Sequence, residues 1–373
     1  MIDGATSPYL VMYPDRVTAA YRALGAALPG ARIRYAVKAT PVPEVLLALA
    51  AAGAEFDVAS PGEIELCLGL GIAPELLCYG NTVKKAAQIA GAHARGVRRY
   101  AFDTADDLRR IALHAPGAEV ECRFLPATPP ARTPFGSKFG CAPGEVAPLL
   151  TQARDLGLVP AGPYFHVGSQ QTDPAAWRIG LEQAGRIAAE LAAAGIPVRS
   201  VNIGGGLPIP YADPAPGLAE LGAVITAAAR AHLPPGTALV VEPGRALTGA
   251  AGELHCEVVA VRIAPDGRRW VYLDVGRYSG LAETENEYIV YRIATERDGD
   301  PVAEAVLAGP TCDGDDVLYQ RTRVLLPATL RAGDRVRILD AGAYTASYAS
   351  VSFNGFPPLT VHVTGAEREW VQS

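Results

Sequence analysis

Eight short β-prone runs, each followed by an Ala- and Leu-rich stretch with helical spacing, occupy the chain from about residue 14 to residue 242. The runs are Arg32–Val37, Glu55–Val58, Leu77–Tyr79, Tyr100–Phe102, Glu119–Phe124, Gly162–His166, Ser200–Ile203 and Ala238–Val241. Helical stretches between them include Val42–Ala52, Pro61–Leu70, Val83–Ala94, Ala105–His114, Pro174–Ala194 and Leu218–His232. Eight such units over roughly 230 residues is the count for a (β/α)8 TIM barrel. A doubly wound open sheet is the structural alternative. No G-x-G-x-x-G follows the first strand, which weakens the dinucleotide-binding version of that alternative.

After about residue 245 the pattern changes. Glu253–Ile263, Arg269–Val275, Val302–Ala308 and Arg335–Leu339 read as strands, separated by turns such as Pro265-Asp266-Gly267 and Ala332-Gly333-Asp334. No long helical pattern interrupts them, so a C-terminal all-β domain of roughly 130 residues is expected. Tyr9–Tyr13 is also β-prone and precedes the first helix, so it is expected to pair with that β-sheet domain. The expected division is a barrel over residues 13–244 and a β-domain made of residues 1–12 and 245–373.

Composition narrows the function classes. The 373 residues carry a formal net charge of -6, which gives no electrostatic case for nucleic acid or acidic lipid. No apolar run reaches the ~18 residues of a membrane helix, and the amino terminus shows no secretory signal. The six cysteines (67, 78, 122, 141, 256 and 312) include no C-x-x-C pair. That spacing argues against a zinc site or a disulfide framework and for a reducing cytoplasm.

The chemistry-bearing residues gather at strand ends. Lys38 closes the first run, where α/β barrels keep their reactive groups; it is either a solvated surface lysine or a partly desolvated amine, which is a nucleophile toward carbonyls. Asn202-Ile203-Gly204-Gly205-Gly206-Leu207-Pro208 closes the seventh run; its glycine N–H groups can cradle a phosphate, or the segment is a flexible turn. The eighth run ends Val241-Glu242-Pro243-Gly244-Arg245, which supplies a carboxylate and an anion site. His166 ends another run, either packed in the core or stacked on a flat ligand. Arg123 lies within a strand and needs an acidic or aromatic-heteroatom partner there. In the second domain, Gly309-Pro310-Thr311-Cys312-Asp313-Gly314-Asp315-Asp316 offers a thiol able to act as acid or base and carboxylates able to hold a cation. Tyr344 can hydrogen-bond a phosphate or fill the core.

Read together, these pieces resemble the fold-type III pyridoxal-phosphate decarboxylases of basic amino acids, ornithine/lysine decarboxylase branch. The motifs are Tyr35-Ala36-Val37-Lys38, Phe56-Asp57-Val58-Ala59-Ser60, Ser137-Lys138-Phe139-Gly140, His166-Val167-Gly168-Ser169, Gly204-Gly205-Gly206, Glu242-Pro243-Gly244-Arg245, Gly309-Pro310-Thr311-Cys312-Asp313-Gly314 and Gly342-Ala343-Tyr344-Thr345. The resemblance covers nearly the whole chain and implies a barrel with a β-domain. It implies that Lys38 forms a Schiff base with pyridoxal 5'-phosphate, that Glu242 pairs with the pyridine nitrogen and that His166 stacks on the ring. It implies that Ser169, Gly204, Gly205, Gly206, Gly244, Arg245 and Tyr344 bind the phosphate, and that Asp57 and Arg123 orient the ring. Cys312 would return a proton after carbon dioxide leaves, and Asp313 would hold the distal ammonium. In the family both reach the partner subunit's site, so a homodimer is implied. The expected reaction is α-decarboxylation of L-ornithine, with L-lysine next, to a diamine.

One stretch departs from the family pattern. Eukaryotic-type members of the family place an Asp near the distal amine on a short segment after the one matching Gly276-Arg277-Tyr278. Here Leu281-Ala282-Glu283-Thr284-Glu285-Asn286-Glu287 follows, with Glu287 as the best match and Glu283 on the same face if the segment is helical. Competing readings are a diaminopimelate-decarboxylase-like enzyme, a decarboxylase of a modified basic amino acid in a secondary-metabolite pathway, and a catalytically silent, cofactor-binding regulator. The run of Glu283, Glu285 and Glu287 disfavours a substrate with a distal carboxylate. The Cys312-Asp313 pair argues against an alanine-racemase-type enzyme.

Overall fold

Strands buried on both faces read as short apolar runs, and that pattern holds along the first two thirds of the chain. A computed structural model describes Ile2 and residues 4–365; Met1, Asp3 and residues 366–373 of the expected β-domain lie outside it. After β1 (Tyr9–Met12) and α1 (Pro14–Ala27), eight parallel strands close into a barrel. They are β2 (Arg32–Ala36), β3 (Glu55–Val58), β4 (Leu77–Tyr79), β5 (Arg99–Phe102), β6 (Glu119–Phe124), β7 (Val159–Phe165), β8 (Ser200–Asn202) and β9 (Ala238–Val241). The helices that follow them are α2 (Pro43–Ala51), α3 (Pro61–Gly69), α4 (Ala86–Ala94), α5 (Ala105–His114), α6 (Val146–Asp155), α7 (Ala175–Ala193) and α8 (Leu218–His232). Closure is made by β2 against β9, with Arg32 beside Val240 and Ile33 beside Val241.

Local chemistry sets the helix starts. Pro43 and Pro61 open α2 and α3, where a missing N–H costs nothing. The Ser60 hydroxyl caps α3 by accepting from Glu63 N at 3.3 Å. Thr104 caps α5 in the same way, from Asp107 N at 3.2 Å. The helix read from Val83 begins instead at Ala86, because Val83 N donates to Asn81 Oδ1 (3.0 Å) and Lys84 turns inward to Asn81 O, Ala101 O and Asp107. Strand β7 starts at Val159, three residues before the sequence reading, where Pro160 and Pro163 mask its β character.

The second unit holds the residues up to Val17, Ile209–Ala215 and those from Leu247 on; the barrel unit holds Thr18–Pro208 and Pro216–Ala246. Its strands are β10 (Gly252–Ile263), β11 (Arg269–Leu273), β12 (Ile293–Thr295), β13 (Val302–Ala308), β14 (Val317–Pro327), β15 (Arg335–Ile338) and β16 (Thr360–Val363). They form a mixed sheet in the order β12-β15-β10-β11-β13-β14. Strand β1 joins it as expected, antiparallel to β10 with Tyr9 opposite His255, and parallel to β16. The Tyr9 and His255 rings stack at 4.9 Å. Strand β14 escaped the sequence reading because charged and apolar residues interleave along it. Among the described residues no helix is long and apolar enough to cross a membrane.

Candidate active site

Strand β2 ends at Ala36, and a single 3-10 turn, Val37–Ala39, swings the chain off the barrel wall. Lys38 sits in that turn with 47% of its side chain exposed, while Val37 and Ala39 are buried. Its Nζ lies 3.6 Å from Asp57 Oδ2, a long ion pair. Asp57, near the end of β3, is buried, and its Oδ1 has no hydrogen-bond partner. Burial raises the Asp57 pKa, and the Lys38 charge opposes that rise. Gly80 leaves room for this carboxylate: a Cβ there would lie 2.0 Å from Asp57 Oδ1.

Glu242 follows β9 directly and is buried. Its Oε1 accepts from Arg34 Nη1 at 2.9 Å and from Asn202 Nδ2 at 2.7 Å. Arg34 also makes a two-nitrogen contact with Glu121, at 3.0 and 3.1 Å, and Asn202 Nδ2 donates to Glu121 Oε2 at 2.8 Å. Burial, then Asp57, push the Glu242 carboxyl up to about 7 against the pull of Arg34. Glu121 is held below its ordinary range: burial works to raise it, and the Arg34 charge and its hydrogen bonds prevail. The main chain fixes the same region, with Ala36 N donating to Pro243 O (3.0 Å) and Glu242 N to Gly204 O (2.7 Å).

The glycine run after β8 is close-packed. Gly204 and Gly206 take φ of 65° and 90°, a region that disfavours side chains. A Cβ on Gly205 would lie 2.4 Å from Glu242 O, and one on Gly206 would lie 2.2 Å from Gly168 O. The Gly204 N–H is taken by Asn202 Oδ1 at 2.9 Å, so the N–H groups left for an anion in this run are those of Gly205 and Gly206. Arg245 is buried and donates through Nη2 to Ser169 Oγ at 3.0 Å, joining two of the expected phosphate-binding side chains. Gly244 lies between Glu242 and Arg245.

His166 follows β7. Gly168 N donates to its Nδ1 at 3.0 Å, so the proton of the neutral ring belongs on Nε2. Burial, then the Arg123 and Lys38 charges, hold its pKa well below the ordinary value, and the ring is neutral through the physiological range. The Phe135 ring lies 4.7 Å away. Arg123, on β6, finds aromatic faces: its guanidinium lies over Phe139 at 4.8 Å and Tyr164 at 5.1 Å. Phe139 comes from the Ser137–Gly140 motif.

The other expected residues belong to the sheet unit. Cys312 is exposed, and Asn354 Oδ1 accepts from both its N (3.0 Å) and its Sγ (3.3 Å). Asp313 Oδ1 accepts from Asp315 N at 2.8 Å. The loop is anchored by buried Asp316, which accepts from Arg277 N, Thr311 N and Thr311 Oγ1. Tyr344 has a φ of 56°, with its ring 5.7 Å from that of Tyr348.

Glu287 is occupied differently from the substrate-binding role expected of it. Its carboxylate accepts from the backbone N–H groups of Gln320, Arg321 and Thr322, at 2.9, 2.8 and 2.6 Å, which pins it to β14. Glu283 shares no helical face with it, because Glu285 and Asn286 leave helical geometry between them. Burial alone would raise the Glu287 pKa, but the Thr322 side chain and then these backbone N–H groups bring it down to about 2. A carboxylate depressed in the folded state contributes stability above its unfolded value, near 4.5, and loses it as the pH falls through about 2. Glu287→Gln is therefore expected to melt below wild type at pH 7, with the gap narrowing between pH 4.5 and 2 in thermal unfolding.

The residues to which the sequence reading gave no role are Arg34, Glu121, Asn202 and Asn354, while Asp316, read as one of the carboxylates able to hold a cation, is spent on its own loop. Arg34 and Glu121 did leave a signal: each is a charge at an interior position of a short, buried strand, and the two signs are opposite. The fit to a pyridoxal phosphate group rests on three observations. One oxygen of buried Asp57 lacks a partner, Gly205 and Gly206 have no room for a Cβ, and Arg245 is paired with Ser169.

Comparison with known proteins agrees with this geometry. Residues 15–249 match the profile of the pyridoxal-dependent decarboxylases, pyridoxal binding domain. A lysine/ornithine decarboxylase of Selenomonas ruminantium is 35% identical over 353 residues, covering 94% of this chain and 88% of that protein. The crystal structure of SrLDC in complex with PLP and cadaverine superposes with a TM-score of 0.88 at 34% identity, covering 96% of this chain and 91% of that one. The arginine decarboxylase of Paramecium bursaria Chlorella virus bound to agmatine gives a TM-score of 0.88 at 27% identity, covering 96% and 98%.

Proposed function

Because this chain belongs to the pyridoxal-dependent decarboxylases, we propose that it removes the α-carboxylate of a basic amino acid, L-ornithine first and L-lysine next, to give a diamine and carbon dioxide. The observation that carries this reading is buried Glu242, fixed by Arg34 and Asn202 beside the glycine turn. It follows the strand that pairs with the strand preceding Lys38. Pyridoxal phosphate, when bound, supplies a cationic ring that draws off the electron pair left as carbon dioxide departs.

The chain's own residues divide the remaining work. Lys38, half exposed in its turn, would hold the cofactor through its aldehyde carbon. Glu242 faces the ring nitrogen as counter-charge. Arg245, Ser169 and the Gly205 and Gly206 N–H groups grip the phosphate, with Gly244 and Tyr344 completing the grip. His166, neutral and packed against Phe135, covers a ring face. Asp57 and Arg123 orient the ring. Cys312 would hand its thiol proton to the α-carbon, and Asp313, with Glu283 of the acidic stretch, would meet the distal cation. Both serve the partner subunit's site in a homodimer. The six free thiols suit a reducing cytoplasm.

A panel of L- and D-basic amino acids, assayed for carbon dioxide release with products identified by mass, tests the reading. Turnover is expected on L-ornithine or L-lysine; release from meso-diaminopimelate alone would overturn it. Cys312→Ala is expected to lower diamine formation by about 10²-fold, the usual worth of a positioned general acid. Unchanged diamine formation would remove the proton-return role.

A further inference from the structure

Four side chains from separate strands meet inside the barrel: Arg34 on β2, Glu121 on β6, Asn202 on β8 and Glu242 after β9. All four are buried. One Arg34 nitrogen, Nη1, donates to both Glu121 Oε2 (3.1 Å) and Glu242 Oε1 (2.9 Å). Asn202 Nδ2 bridges the same two oxygens, at 2.8 and 2.7 Å. Gly204 N–H holds Asn202 Oδ1, so the amide orientation is set by a backbone donor that cannot reverse. Glu242 Oε1 therefore receives two N–H donors, one of them permanently charged, which is the pattern that favours an ionised carboxylate.

A buried ion pair of this kind is a poor source of stability, since well-packed apolar residues of similar volume serve as well. Its placement against Glu242 suggests another task. We propose that Arg34, anchored by Glu121, is a positioning residue that sets how the proton is shared between Glu242 and the ring nitrogen of the bound cofactor. This rests on the reading that Glu242 pairs with that nitrogen. Arg34 favours the Glu242 anion and so keeps the proton on the ring. Glu121 works against it, both as a second buried anion and as a competitor for the same guanidinium. Of the two, Arg34 acts on Glu242 more strongly. The other titratable groups facing Glu242 are Asp57 on β3, Cys78 on β4 and Tyr164 on β7.

The two partners thus predict opposite effects, which a purely structural role does not. The experiment loads the protein with pyridoxal phosphate labelled with 15N in the ring and follows the nitrogen resonance from pH 6 to 9. Glu121→Gln is expected to move the resonance toward the protonated position. The double variant Arg34→Met/Glu121→Met, which removes the Arg34–Glu121 pair together and leaves Glu242 its Asn202 donor, is expected to move it toward the unprotonated position. The double variant is also expected to weaken cofactor binding by about tenfold, the order of one hydrogen bond to a charged group. A wild-type protein that gives no bound-cofactor resonance sinks the functional reading and this inference together. A wild-type resonance that both variants leave in place, or move in one direction, sinks this inference alone.

Discussion

Lys38→Ala protein is expected to lose decarboxylation by at least ~10³-fold, because the residue supplies the only amine that the proposed chemistry uses to carry the cofactor. The fold should survive the change. Lys38 lies in a 3-10 turn, half exposed, with its Nζ 3.6 Å from Asp57 Oδ2. Removing the ammonium takes away a charge that opposes the rise in the Asp57 pKa, so Asp57 will hold a proton more readily in the variant. The decisive measurement is borohydride reduction of the loaded protein followed by peptide mass analysis. In wild type the reduced cofactor should be found on the peptide containing Lys38. In the variant the cofactor should be bound through its phosphate alone and be removed by dialysis. Covalent retention that survives Lys38→Ala would reject the assignment.

The second large effect is expected at Glu242. Glu242→Gln should lower turnover by about 10²- to 10³-fold, the scale on which removal of one preorganised charge-stabilising group acts. Its amide oxygen can still accept from Arg34 and Asn202, so packing is retained while the charge is lost. Stability should respond with a defined sign. Burial raises the folded-state pKa of Glu242 to about 7, above the ordinary value of 4.5. A group raised in this way contributes stability below its unfolded pKa and loses it as the pH climbs through the folded value. Apo Glu242→Gln is therefore expected to gain stability relative to wild type between pH 4.5 and 7, reaching its full advantage above 7. Denaturant unfolding of the two apoproteins across that range checks it. A difference that is flat with pH would place the Glu242 proton elsewhere.

Sequence and structure meet unevenly across the site. Lys38, Glu242, His166 and the glycine run were legible because each is announced by local chemistry: a β-type run, then a break, then a reactive or turn-forming residue. The barrel itself was legible for the same reason, since the alternation of strand and helix runs along the chain. Strand β14 and helix α6 were not. The first carries charged residues between its apolar ones, and the second has Pro148 within its opening turn, where proline is tolerated but reads as a break.

What the sequence determined by itself was the architecture and the set of reactive residues at strand ends, because both follow from short-range periodicity and turn chemistry. The tertiary structure alone decided which charges meet. Arg34, Glu121, Asn202 and Glu242 span 208 positions of sequence and touch only because β2 and β9 close the barrel. It also decided the fate of Glu287. Sequence placed that residue with a substrate cation, but its backbone φ of 58° puts it in a turn, and its carboxylate meets three unpaired N–H groups of β14. Partners for buried charges and open backbone donors are supplied across the fold, so no window of local sequence contains them.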